Sequence, residues 1–240
     1  IGLATALCMA GLGHAAPSVV APGQLGLLSI SSVGSKPIAF VLMCNAKAGT
    51  PIQFTDNGWL SSGGFRAGEG VVTWVAARDV AAGEVIRFNG DGNTPAVVPA
   101  NSGSATQAGQ FNIAGAGDSV IVYQGTAAQP KPVFGLNYVS SGTWDVNASN
   151  SNTSALPAGL INGQTALALR NQQTAQDYTG LTNGTAEQLI AAIASQDNWT
   201  GRAGANPSLA PAALVGSNAA DCAQDDGGVA AIDPETITRI

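Results

Sequence analysis

The sequence predicts an all-β fold: an antiparallel β-sandwich, jelly-roll-like, with one short helix and an extended N-terminal strand arm. Three observations predict it. Short apolar runs recur along the chain, separated by Gly, Asn, Asp and Pro. Several of these runs split into two faces with period two. Only one stretch, TAEQLIAAIASQ, carries both a helical period and a start signal. A closed β-barrel is the alternative architecture.

In chain order, the strand candidates are Gln24–Ser32, Pro37–Asn45, Pro51–Thr55, Gly70–Ala76, Glu84–Asn89, Ser119–Gln124, Pro132–Val139 and Thr165–Leu169, with a late one at Val229–Ile232. In DSVIVYQG, Val120, Val122 and Gln124 oppose Ser119, Ile121 and Tyr123. In EVIRF, Val85 and Arg87 oppose Ile86 and Phe88. AFVLMC is apolar throughout, as a strand covered on both faces would be. For the helix, near 185–195, Thr185 can cap and Gln188 can complete a capping box, while Leu189, Ile190 and Ile193 supply the apolar face. Ala203 to Ser217 is rich in Ala, Pro and Gly and reads as an ordered surface loop.

The first 20 residues allow two readings. Low charge and the small-residue stretch Gly13–Pro17 fit the end of a signal peptide. Read as a strand, however, Ile1, Leu3, Thr5, Leu7 and Met9 alternate with Gly2, Ala4, Ala6, Cys8 and Ala10. A signal core needs only bulk hydrophobicity, whereas a strand laid into a groove needs one bulky face and one flat face. The expected organisation is therefore a donor-strand arm at 1–12, a connector at 13–23, and a sandwich over 24–240 with a C-terminal extension.

Composition narrows the function. Only 10% of the residues are charged against a usual quarter, yet 45% are hydrophobic and the net charge is −6. The chain can bury a core and must present a neutral, hydroxyl- and amide-rich surface, which suits an extracellular or cell-surface location. Nine basic residues and a pI near 4.5 leave no nucleic-acid footprint. After residue 20 no apolar run approaches a membrane span. With three cysteines and one histidine a structural zinc site is not expected. One disulfide, Cys44–Cys222, is expected in an exported chain, leaving Cys8 over; buried free thiols are the alternative.

No catalytic motif stands out. There is no GxSxG elbow, and His14 lies far from any strand-end cluster. Asp225-Asp226 reads as a solvated turn. The expectation is no enzyme, with a two-carboxylate hydrolase as the only class left open, because its residues need not be near in sequence. Calcium is the more plausible small partner. Asp56 and Asp91 sit in Asp/Asn/Gly loops that can supply oxygen ligands, and Glu69 and Asp118 are expected to join Asp56 from neighbouring loops. Ordinary hairpin turns explain the same loops. Four N-x-Ser/Thr sequons occur, at Asn147, Asn152, Asn183 and Asn198. A eukaryotic source implies glycans on some of them and a bacterial source does not. Trp59 and Trp144, in loop-like surroundings, are candidates for stacking on sugar rings, and core packing is the competing role. Trp74 alternates within a strand and belongs to the core.

The strings PIQFTDNGW, EGVVTW, AGDSVIVYQG and NTSALPAGL, followed by a short helix ending in DNW, occur together over about residues 25–200. This set resembles a family of secreted and surface-attached all-β proteins, some with C-terminal sorting tags; lamin-tail-like sandwiches are a further comparison. The resemblance implies an extracellular β-sandwich and assigns no catalytic residue. As a whole the chain is also similar to glycosylated extracellular filaments imaged in natural water samples. The N-terminal alternation and the loop tryptophans lead to two expected functions. One is a structural subunit that forms a homopolymer by lending Ile1, Leu3, Leu7 and Met9 to a neighbour, with covalent glycans and calcium on its exterior. The other is a monomeric glycan-binding surface module.

Overall fold

The computed structural model describes residues 16–90, 95–139, 141–170, 173–204, 210–217 and 219–225. The proposed arm residues Ile1, Leu3, Leu7 and Met9, with Cys8, His14 and Asp91, lie outside the described residues, as does the late strand at 229–232. The chain forms β1 (Ser18–Val19), β2 (Leu25–Ser31), β3 (Pro37–Leu42), β4 (Pro51–Thr55), β5 (Val71–Ala76), β6 (Val85–Asn89), β7 (Val97–Val98), β8 (Gly103–Ala108), β9 (Ser119–Thr126), β10 (Gln129–Asn137), β11 (Ala166–Ala168) and β12 (Ala175–Tyr178). There follow β13 (Asn183–Thr185), α1 (Ala186–Ile193), β14 (Trp199–Arg202), β15 (Val215–Ser217) and β16 (Ala223–Gln224).

Two six-stranded sheets carry the fold. One runs β11-β10-β9-β4-β5-β8 and the other β14-β12-β2-β3-β6-β7. Pairing is antiparallel except where β11 joins β10 and β15 joins β13, both parallel. The inner faces meet at four aromatic rings. Phe40 of β3 lies 5.0 Å from Phe54 of β4 and 5.2 Å from Trp74 of β5, centroid to centroid. Phe88 of β6 lies 4.8 Å from Phe54. Tilted and edge-on contacts at these distances add to the area each ring buries. Period-two alternation aims them: in β5, Val72, Trp74 and Ala76 are buried while Val71, Thr73 and Val75 are half-exposed.

β2 is buried on both faces, with α1 lying across its outer side, and β3 is buried along all but its first residue. Gly26 makes the contact possible; a Cβ there would stand 2.9 Å from Ile193 Cδ1. The helix begins at the expected capping box, with Gln188 N–H donating to Thr185 Oγ1 and the Gln188 side chain accepting from Thr185 N–H. Cys44 and Cys222 form the disulfide, tying the end of β3 to the C-terminal segment across 178 residues.

The strands that pattern reading missed carry little pattern. β8, an edge strand of sequence GSATQA, turns only Gly103 and Ala105 inward. β12 has Asp177 in its middle, fully buried; Ser29 Oγ donates to it at 2.6 Å and Arg202 Nε at 2.6 Å. β10 begins at Gln129 and tolerates Pro130 and Pro132, because β11 pairs with β10 only from Gly135 onward.

Phe54→Ala is expected to lower the unfolding free energy by about 3–5 kcal/mol. The exposed Thr106→Ala should stay within about 0.5 kcal/mol of the parent. Urea unfolding followed by tryptophan fluorescence measures both. Replacing Cys44 and Cys222 with serine should cost up to about 5 kcal/mol through the long loop it reopens, read as a lower urea midpoint that reductant no longer shifts.

Candidate functional site

Three of the expected metal ligands share one cavity of about 150 Å³. Asp56, Glu69 and Asp118 line it with Asn112 and Ser151. Asp56 follows β4, Glu69 precedes β5 and Asp118 precedes β9, so the sheet order places all three at one end of the sandwich. Asp56 and Asp118 are each only 1% exposed. Both oxygens of each carboxylate accept backbone N–H groups. Asp56 takes Gly70 N–H at 2.9 Å and Asn112 N–H at 2.5 Å; Asp118 takes Ala114 N–H at 2.8 Å and Ser119 N–H at 2.7 Å. Asn57 Nδ2 donates to Thr55 Oγ1 and to the Gly70 carbonyl, and Asn57 Oδ1 accepts from Glu69 N–H at 3.1 Å. These bonds close the loops on one another.

Among the described residues, no three His, Cys, Asp or Glu side chains are arranged to hold a metal ion. Asp56, Glu69 and Asp118 are neighbours around this cavity. The local logic of Gly58 differs from the expected Asn-Gly turn. A Cβ at Gly58 would stand 2.1 Å from the Thr153 carbonyl oxygen, so glycine is there for close approach of two loops.

The electrostatics follow from burial. Burial raises the Asp56 carboxyl above its usual range against the pull of its N–H donors and of Lys36, whose Nζ donates to Asn112 Oδ1. Asp118 is raised well above that range, first by burial and further by the charges of Asp56 and Glu69. Glu69 is pushed up to about 7 by burial and by Asp56, with Arg66 opposing from 3.4 Å.

The two candidate sugar-binding tryptophans separate. Trp59 is 6% exposed, and Phe65 packs edge-on against it at 5.1 Å. Phe65 in turn meets Tyr123 at 4.9 Å. With Ile121 and Ala155 these rings make a second small core on the outer face of the first sheet. Trp59 is thus a packing residue with no face to offer a sugar. Trp144 is half-buried, with Nε1 donating to Asn162 Oδ1 at 3.1 Å and its ring edge over Gly135.

The sequons also differ. Asn152 Nδ2 donates to the Gly117 carbonyl at 2.8 Å and Asn198 Nδ2 to the Ala192 carbonyl at 2.9 Å. Asn147 is half-buried, with Oδ1 accepting from Ser61 N–H. Asn183 is exposed.

The segment expected to be a plain connector is instead anchored. β1 pairs with β16. Gln124 Oε1 accepts from Val20 N–H at 2.8 Å, and its Nε2 donates to the Ser18 and Pro51 carbonyls at 3.0 and 2.9 Å. Thr50 Oγ1 accepts from Ser18 N–H. Sequence reading placed Gln124 in a strand and gave it no role; an amide ending an apolar strand face was the available signal. A groove of about 560 Å³ opens at Pro22–Gln24, where Met43, Cys44, Ile190 and Ala219 line it together with Gln24, Gln164 and Glu187.

No family model, curated protein or solved structure matches the chain.

The raised Glu69 carboxyl makes a pH prediction. The unfolded chain ionises Glu69 near 4.5 and the folded chain near 7. The folded state therefore holds the extra proton between those values. The contribution is fully present below about pH 4.5 and is lost as pH rises through 7. Asp56 and Asp118 act in the same direction. Urea midpoints should fall from pH 5 to pH 8, and Glu69→Gln should flatten that decline and leave the variant the more stable chain at pH 8.

Proposed function

We propose that the chain is an extracellular structural protein, the subunit of a helical homopolymer held together by its N-terminal strand. The observation that carries this reading is the anchored root of the arm. A tether that merely trailed from the domain would need no such fixing. Here β16, Gln124 and Thr50 all hold residues 18–20, and the disulfide fixes the segment leading to β16. The alternation of Ile1, Leu3, Leu7 and Met9 with small residues supplies a strand with one bulky face. The groove at Met43, Ile190 and Ala219 offers apolar lining of the kind those side chains would fill.

Lending the strand to a neighbour makes a heterologous contact, which propagates unless rotation closes it into a ring. Burying four large apolar side chains gives about 6–12 kcal/mol before the costs of association. The low-charge surface fits an exterior covered by glycans, and no catalytic step enters this role. The competing reading, a glycan-binding module, loses Trp59 to the second core and keeps only Trp144.

Removal of residues 1–12 tests the proposal. Negative-stain microscopy should show filaments for the full chain and single particles for the truncated one, with the same β-rich circular dichroism in both. Filaments of unchanged length from the truncated chain would sink the reading.

A further inference from the structure

We propose that Asn183 carries an N-linked glycan, and that Asn152 and Asn198, although they sit in the same kind of sequon, do not. The inference rests on the extracellular reading above and adds the place of modification. It follows from what each amide touches. An N-glycan leaves the protein from Nδ2, so that atom needs an open path to solvent.

At Asn152 the Nδ2 donates to the Gly117 carbonyl, and Ser154 of its sequon is fully buried, whereas Thr185 of the Asn183 sequon is only half-buried. At Asn198 the Nδ2 donates to the Ala192 carbonyl at the end of α1. Its side chain also lies against the backbone of Gly180, where an added Cβ would be 2.7 Å from Asn198 Cβ. Attaching a sugar at either position displaces an ordered contact and directs the glycan into the protein. Asn183 is different. It opens the short parallel pair β13–β15, directly beside Val215, which is 61% exposed. Side chains paired in register leave a sheet on the same side, so Asn183 emerges where its cross-strand neighbour also faces solvent.

The transfer balances with one co-reactant, a lipid-linked oligosaccharyl diphosphate. Asn183 Nδ2 forms the bond to the anomeric carbon and gives up one proton. The anomeric C–O bond breaks, and the lipid diphosphate leaves with the electron pair.

Glycopeptide mass mapping of the protein isolated from its source, before and after N-glycosidase treatment, is the test. The expected result is an oligosaccharide on the Asn183 peptide, converted to Asp by the glycosidase, with the Asn152 and Asn198 peptides bare. An unmodified Asn183 overturns the inference, and so does equal occupancy at Asn152 or Asn198. An Asn183→Gln chain is expected to lose that glycan and still form filaments. A glycosylated Asn183 in a chain that forms no filaments would count against the polymer alone, so the two proposals fail separately.

Discussion

The fold depends on the meeting of Phe40, Phe54, Trp74 and Phe88 between the two sheets. Each ring comes from a different strand, so the cluster fixes four registers at once. A slip of one residue in any of these strands would turn its ring out to solvent. The neighbouring backbone is cut to fit. At Gly103, on the edge strand beside Trp74, a Cβ would stand 2.3 Å from the indole nitrogen. Once the inner faces are set, the outer faces take what remains. One receives Trp59, Phe65 and Tyr123, and the other receives α1. The acidic cavity and the arm root are both built where loops cross the ends and outer sides of sheets whose registers are already decided.

Much of this was legible because burial imposes period two. β4 was bounded as Pro51–Thr55, β5 and β6 to within a residue, and α1 by its capping box. The continuous run AFVLMC announced a strand covered twice, and β3 is one. What could not be read was of two kinds. β8 gives no signal, since a small-residue edge strand buries almost nothing. β12 gives a misleading one, since Asp177 is paid for by Ser29 and Arg202, 148 residues before and 25 residues after it. The site shows the same division. Oxygen-rich loops pointed to Asp56, and the gathering of Glu69 and Asp118 around it was foreseeable as a possibility. That their oxygens would be spent on backbone N–H groups depends on loop geometry that spacing does not encode. Trp59 misled for a related reason, since a tryptophan in a Gly/Asn loop looks exposed until a second loop, 145–155, folds over it.

Scarcity of charge gives the few buried carboxylates a clear structural task. Asp56, Asp118 and Asp177 are each buried; Asp56 and Asp177 tie together segments distant in sequence, and Asp118 closes a local turn. Asp56 holds the chain at Gly70 and at Asn112, Asp118 closes the 114–119 turn, and Asp177 links β2, β12 and β14. Hydrogen bonds to a charged acceptor are stronger than neutral ones, and leaving such an acceptor unpaired in the interior is costly. The loops are thus held by a small number of strong contacts rather than by many weak surface ion pairs, which contribute little in water. The same economy makes Glu69 the weak point. Its carboxyl meets the charge of Asp56 with Arg66 opposing, so, like Asp56 and Asp118, it is a group whose charge the fold resists.

The arrangement at the arm root has a mechanical consequence for the proposed polymer. Tension along a chain of subunits would enter each domain where the arm meets β1. A two-residue strand pair resists such a pull poorly by itself. Gln124 adds two hydrogen bonds to the same segment from the centre of the first sheet, and a third to the Pro51 carbonyl at the start of β4. Thr50 adds a fourth contact from the entry to β4. On the other side of β1, β16 follows directly on Cys222, and the disulfide carries the load covalently to Cys44, just past the end of β3 in the second sheet. The pull is therefore divided between both sheets, which the aromatic cluster clamps together. A subunit that only bound a ligand from solution would have no use for this division. A subunit in series with its neighbours does, because the weakest joint in such a series sets the strength of the whole.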